Sequence, residues 1–477
     1  MKKVAIIGAG FTGLTAGYEL SKKGFDVTIF EKSNDIGGLA GGFTLEGASL
    51  EKAYHHLFRT DTAILSLLEE LGMSEELGWY ESKVGMVVKS TKAITQESTK
   101  AIEQESTKVP EHESIKALTS FEVLPFNGVK DLLLYKPLPV IDRIRAGAVV
   151  FFLQKYNGWK TLIARPAFAW MQKWSGKKVM DTVWGPLLQG KFAVHATKIS
   201  MAWLWARIHI RANSRKSIFE KELLAYPKRG FLSIAEALAT QIAELQKKNL
   251  SETLKTNSTI EQIIYSGQKV TVVSNGKKED FVAILSTIPE KAFLSLVKEN
   301  SSTSAVSRQP IDYLSAIVLA FSSPQSLSKY YWHNIIDKES PFLVFLQHTN
   351  LVPKTWYKNQ NVYYIGVYVP NDHKYFTDAK YQADGIKQEW FAYLKQLFPA
   401  FDKAQVANSS LFKFPYAQHV VDTKYPEKIP AYRTNFPNTY LANFSQIFPE
   451  DRGTNYAVLE GQKIAALISS DLLQYTA

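Results

Sequence analysis

Three glycines, Gly8, Gly10 and Gly13, stand in GxGxxG spacing between the apolar run at residues 4–7 and a helix-forming stretch. Gly8 permits a tight turn, Gly10 lets the main chain approach a pyrophosphate, and Gly13 allows a helix to pack closely on a strand. The helix start adds unpaired N–H groups and the positive end of its dipole, which is what a dinucleotide phosphate needs. Glu31 closes the next apolar run, residues 27–30. A carboxylate about 20 residues beyond the glycine turn accepts hydrogen bonds from ribose hydroxyls and repels a 2′-phosphate, which favours FAD or NAD over NADP. A second cluster, Gly37, Gly38, Gly41 and Gly42, offers another surface without side chains. A long FAD crossing the domain requires such a surface and NAD does not, so the pair of clusters tilts the reading towards FAD.

Two further groups carry chemistry of their own. Tyr54, His55 and His56 follow the second glycine cluster. An imidazole titrates near neutral pH, but neighbours on an extended segment point to opposite faces, so at most one histidine is expected to face a common site; packing is the competing role. In MAWLWARIHIRANSR, Trp203, Arg207, Arg211 and Arg215 recur every four residues and share a helix face. Arginines beside an aromatic can clamp a carboxylate or phosphate, and they can equally form a structurally paired stripe. No spacing of histidine and carboxylates suggests a metal ion. The chain has no cysteine, which excludes disulfides, thiolate metal sites and attachment of a flavin through cysteine sulfur.

The elements that must position these residues read as strand, turn, helix, strand over residues 1–31, a βαβ unit. The pattern predicts an α/β fold, a Rossmann-type FAD-binding domain with an interleaved α+β substrate domain. The FAD-binding parts are expected at 1–88, 225–298 and 438–477, and the substrate parts at 121–224, mostly helical, and 299–437. Residues 89–120 repeat with a period of eight, KSTKAITQ, ESTKAIEQ, ESTKVPEH, ESIKALTS. Eight steps advance a helical face by roughly 80°, so the apolar members cannot form one stripe and an exposed insert is expected. The first apolar run is too short for a signal sequence, and no stretch reaches the ~20 apolar residues of a membrane span. A cytoplasmic protein, with at most a peripheral membrane contact, is the expectation. The stretch PLPVIDRIRAGAVVFFLQKYNGWK suits either a membrane interface or the cover of a core. The formal charge is +11 over 477 residues, but the lysines are spread along the chain, so charge alone selects no partner and nucleic acid is not expected.

The opening VAIIGAGFTGLTAGYELSKKGFDVTIFEKSNDIGGLAGGF resembles that of the flavin-containing amine oxidase superfamily, which also holds protoporphyrinogen oxidases and phytoene-type desaturases. YPKRGFLSIAEALATQI, STIEQIIYSGQKVTVV with AILSTIP, and LANFSQIFPEDRGTNYAVLEGQKIAA are similar to later segments of the same group. The resemblance implies non-covalent FAD. Gly8, Gly10, Phe11, Thr12 and Gly13 would cradle the pyrophosphate, Glu31 and Lys32 the adenosine, Gly38 and Leu39 the path to the ribityl chain, and Ile260 would lie near the adenine. Arg452, Gly453, Thr454, Asn455, Tyr456 and Ala457 would approach the isoalloxazine. It further implies an oxidoreductase that moves hydride from an anionic or apolar small molecule to the flavin, with His55, His56, Arg207 and Arg211 as candidate catalytic groups. A mutase-like enzyme acting on a nucleotide-sugar without net redox change and a non-catalytic flavin-binding scaffold are the alternatives. PEDRGTNYA departs from the glycine-rich ending of monoamine oxidases.

Overall fold

Strand Lys3–Ile7 is buried on both faces, as in a parallel strand covered from two sides. Its side chains alternate: Val4 and Ile6 pack with the helices, Ala5 and Ile7 with a second layer that contains Phe30, Ile260 and Phe281. The computed structural model describes residues 1–90, 120–215, 217, 220–297 and 310–474. Among these, Lys3–Ile7 is the centre of a five-stranded, all-parallel sheet in the order Thr439–Leu441, Ala283–Ser286, Lys3–Ile7, Asp26–Phe30, Leu254–Lys255. Helix Phe11–Lys22 connects the first two strands in sequence and packs on helices Leu232–Gln246 and Thr454–Gln474. The last of these comes close at Gly461, where a Cβ would sit 2.7 Å from the Thr12 carbonyl oxygen. An antiparallel meander, Ile260–Ser266, Lys269–Ser274 and Lys277–Phe281, forms the second layer.

A seven-stranded mixed sheet makes the other half. Its order is Asn408–His419, Tyr313–Ser323, Asn361–Val369, Val344–Gln347, Trp332–Ile335, Val84–Ser90, Ser120–Pro125, antiparallel throughout except where Val84–Ser90 runs parallel to Trp332–Ile335. Residues 84–88, grouped by sequence with the first unit, therefore pair in this sheet. The octad repeat lies outside the described residues, apart from its flanks Lys89, Ser90 and Ser120, which belong to two paired strands. Helices Val140–Lys155, Ala167–Ser175, Gly185–Phe192 and Met201–Asn213 supply a further core of their own. The result is a two-domain α/β architecture in which residues from the seven-stranded sheet, the helical layer, the loop before helix Thr62–Glu70 and the start of the last helix converge on one cavity.

Candidate functional site

The two glycine loops lean on each other. Gly37 donates its N–H to the Ala9 carbonyl at 2.8 Å, and Gly10 and Gly37 form a parallel bridge. Gly8 has φ +104°, and a Cβ there would sit 2.5 Å from Thr287 Oγ1, while one on Gly13 would sit 2.1 Å from the Gly8 carbonyl oxygen. A Cβ on Gly10, by contrast, would meet only the Gly38 Cα, at 3.8 Å. The turn is thus closed behind by Thr287 and the helix, and open in front. Helix Phe11–Lys22 has Gly10 at its cap and no side chain bonded to its first turn, so the N–H groups of that turn are uncapped. Glu31 Oε2 accepts from the Ala9 N–H at 2.9 Å, and Oε1 accepts from the Ser33 N–H and hydroxyl. The acid therefore also ties the turn to the loop after strand Asp26–Phe30. Lys32 is exposed beside it, and Ile260 is buried with Ile7 and Phe30.

From this edge the path leads past Leu39 into a cavity of about 540 Å³. Its wall brings together His55, His56, Arg207, Arg211 and the segment from Arg452 to Tyr456, contributed by a loop, a helix and the start of the last helix. Gly8, Gly10, Phe11, Thr12, Gly13, Gly38 and Ala457 are not part of that wall. Asn455 anchors its segment by accepting the Ile64 N–H at 3.2 Å.

Both histidines line the cavity, contrary to the expectation that at most one could face it. The reason is local: residues 52–58 form a loop, and the alternation of a strand does not apply. His55 Nδ1 lies 2.6 Å from the Ala53 carbonyl. A carbonyl only accepts, so Nδ1 carries the proton and Nε2 is left as an acceptor. Burial pushes the His55 pKa down to about 4 and that of His56, whose Nδ1 is 3.1 Å from the Tyr331 hydroxyl, down to about 3. Both are neutral at pH 7.

The arginine stripe divides along its length. Arg211 holds buried Glu222 with Nε and Nη2, both at 3.1 Å, and Arg215 reaches the same carboxylate at 3.5 Å and the Asn127 carbonyl. The attraction of these two guanidinium groups keeps Glu222 below the usual carboxylate range despite its burial. Arg207 instead touches Asp451 at 3.2 Å, with 46% of its side chain exposed. Asp451 also accepts from Lys191 at 2.6 Å and from the Trp203 indole at 3.3 Å. Burial works against its charge, but Lys191, Arg207 and Arg452 hold its carboxyl well below the ordinary value. Arg452 donates to Gln418 at 3.1 Å and to the Tyr368 hydroxyl at 3.0 Å.

Asp61 was not singled out by sequence. It lines the cavity, its Oδ2 accepts the Phe58 N–H at 2.8 Å, and burial raises its pKa to about 6. Lys191, Tyr368 and Asp451 were missed as well. Asp451 sits in the quoted PEDRG turn next to Arg452 and was within reach of a reader following that segment.

Residues 11–450 match the family of flavin containing amine oxidoreductases. The chain belongs to this family. As a flavin-containing amine oxidoreductase family member it is an FAD-dependent oxidoreductase, and the scaffold alternative falls away. It is 24% identical over 338 residues to coproporphyrinogen III oxidase of Staphylococcus aureus (strain NCTC 8325 / PS 47), covering 67% of each chain. A shorter match to protoporphyrinogen oxidase 2, chloroplastic/mitochondrial, of Arabidopsis thaliana is 33% identical over 75 residues, 16% of this chain and 15% of that one. The fold is shared with cyclohexylamine oxidase from Brevibacterium oxydans IH-35A, at TM-score 0.66 and 14% identity over 99% of both chains. Among the described residues, no helix is long and apolar enough to cross a membrane.

Proposed function

We propose that the parallel sheet and its paired glycine loops form a Rossmann-type unit holding FAD non-covalently, and that the cavity oxidises an apolar small molecule carrying a carboxylate. The residues suit that cofactor. Gly10 and Gly38 face each other so closely that a Cβ on Gly38 would sit 3.1 Å from the Gly10 Cα, the helix behind them has an uncapped N-terminus, and Gly8 and Gly13 tolerate no side chain. Gly8, Gly10, Phe11, Thr12 and Gly13 would hold the pyrophosphate, Glu31 the ribose, and residues 452–457 the ring end. FAD, when bound, supplies the hydride acceptor.

The observation that carries the substrate assignment is the charge of the wall. Lys191, Arg207, Arg211, Arg215 and Arg452 face the carboxylates Asp61 and Asp451, in a lining otherwise mostly apolar and aromatic. Counting Glu222 behind the wall, cations still outnumber carboxylates by five to three. Such a wall repels a protonated amine and attracts a carboxylate. Arg207 is the group placed to bind it, because Lys191 also holds its partner Asp451 and more closely, whereas Arg211 and Arg215 alone hold Glu222 and Arg452 is committed to Gln418 and Tyr368. His55 Nε2 would accept a hydrogen bond from a substrate N–H or O–H. Asp61, with Oδ2 held by Phe58, would take the proton lost by the substrate on Oδ1; its pKa of about 6 lies close to neutral pH. The apolar wall excludes water from these exchanges.

The test is anaerobic titration of the flavin-loaded protein with coproporphyrinogen III, its carboxyl esters and cyclohexylamine, followed by the flavin absorbance. Bleaching by the free acid, weaker response to the ester and none to the amine is expected. A flavin that only the amine reduces would overturn the substrate assignment while leaving the cofactor in place.

A further inference from the structure

Lys191 lies near the end of helix Gly185–Phe192 with 16% of its side chain exposed, and its ammonium is 2.6 Å from Asp451 Oδ2. The same nitrogen stands over three rings, 5.4 Å from the centre of Trp203, 5.5 Å from that of Tyr368 and 6.0 Å from that of Phe192. A carboxylate and several aromatic faces around one positive charge are the chemistry that recognises an ammonium ion. Such partners replace the water that a lysine gives up when it is enclosed.

The enclosure does not depend on the lysine. Trp203 donates its indole N–H to Asp451 Oδ1 at 3.3 Å and meets Phe192 edge to face, with ring centres 4.7 Å apart. The Tyr368 hydroxyl accepts from Arg452 at 3.0 Å, and Arg207 lies 3.2 Å from Asp451. Helix Met201–Asn213, strand Asn361–Val369 and the turn before helix Thr454–Gln474 therefore hold the walls in place on their own. Lys191, Trp203, Tyr368 and Asp451 all line the cavity, so a small cation in the cavity has access to this place.

We propose that Lys191 sets the specificity of the cavity by occupying, with its own ammonium, a preformed site for a protonated primary amine. A free amine gives up translational and rotational freedom on entering and the tethered one does not, so the lysine prevails over a competing amine. Amines are thus shut out by occupancy as well as by charge. The lysine also shares Asp451 with Arg207, which leaves that guanidinium available to an anion. This role in specificity rests on the proposed carboxylate substrate; the ammonium site itself does not. Lys191→Ala removes Cγ, Cδ, Cε and Nζ, the heavy atoms of n-propylammonium, and opens the site to that ion.

The test is thermal unfolding of the flavin-loaded full chain and of its Lys191→Ala variant in n-propylammonium chloride, measured against sodium chloride at equal ionic strength and against n-propanol. A saturable rise in the midpoint of the variant is expected with n-propylammonium alone, about 2 °C at about ten times the half-saturating concentration, and no rise in the wild type. An equal rise in both proteins, no rise in the variant, or the same rise with n-propanol would overturn the assignment. Lys191→Met keeps the apolar stem and removes the charged end, and it decides the question where the alanine variant does not fold. Ammonium chloride should raise its midpoint above that in sodium chloride, and equal midpoints in the two salts would overturn the assignment. Neither readout uses substrate or turnover, so a negative result here leaves the carboxylate substrate to be judged by the oxidation assay.

Discussion

The proposed nucleotide end and the proposed substrate cavity are built on opposite plans. The first is made by residues 8–38, one turn and one loop in contact through Gly10, Gly37 and Ala9. The second draws single side chains from residues 55, 61, 191, 207, 368 and 452, and none of these positions implies the others. The first plan depends on the absence of side chains and the second on paired charges. One added atom should therefore ruin the first, whereas the second should respond residue by residue.

Gly13→Ala tests the first plan and carries the largest expected effect. Its Cβ would sit 2.1 Å from the Gly8 carbonyl oxygen, so the turn must open. Each ~1.4 kcal/mol of distortion in the cradle is a factor of ten in affinity, and flavin content per chain should fall at least about ten-fold, read as absorbance after gel filtration. Full flavin retention with an unchanged circular dichroism spectrum would show that the turn is not the cradle.

Arg211→Met separates the cavity's structural arginines from its binding arginine. Glu222, with no exposed side-chain surface, would keep only Arg215 at 3.5 Å. The expected loss is about 2–3 kcal/mol in urea unfolding, below the usual cost of breaking a fully buried pair because Arg211 is itself partly exposed. Flavin content should not change. Unchanged stability with a raised half-saturating substrate concentration would move the binding role from Arg207 to Arg211.

Legibility followed the same division. Residues 4–31 were readable because a parallel strand, a glycine turn and a terminal acid are local and each type has one physical reason to be there. The segment from Arg452 to Tyr456, though not Ala457, stands in the cavity wall, and its helix makes a close contact at Gly461. Arg207 and Arg211 were found by helical spacing, but spacing carries no information on their partners, and Glu222 and Asp451 decide which of them is free to bind. Tyr368 lies in strand Asn361–Val369, whose inward face depends on register with Tyr313–Ser323. Charge distribution was legible only in part. Lysines are spread along the chain, yet net charge is concentrated at residues 129–178 because acids are scarce there.

The smallest expected effect concerns Glu51, which lies between the two regions. It accepts from the Tyr226 hydroxyl and the Phe231 N–H, and burial raises its pKa from 4.5 to about 7. A raised carboxyl pKa means that the folded state prefers the protonated form. Its contribution to stability is full below pH 4.5 and is lost as pH rises through about 7. Glu51→Gln keeps one acceptor and never ionises, so it should match the wild type near pH 4.5 and exceed it by about 1–3 kcal/mol at pH 8. A variant that is destabilised equally at both values would mean that both carboxylate oxygens are needed whatever their charge.

The most direct test of the central claim is the rate of anaerobic flavin reduction by coproporphyrinogen III and by its esters, in wild type and in Arg207→Met. A charge-assisted hydrogen bond of about 1.5–3 kcal/mol predicts a half-saturating concentration about ten-fold to a hundred-fold higher for the free acid in the variant, with little change for the esters and with flavin content intact. Equal behaviour of acid and ester in the wild type, or an Arg207→Met variant that handles the acid as well as the wild type does, would contradict the account.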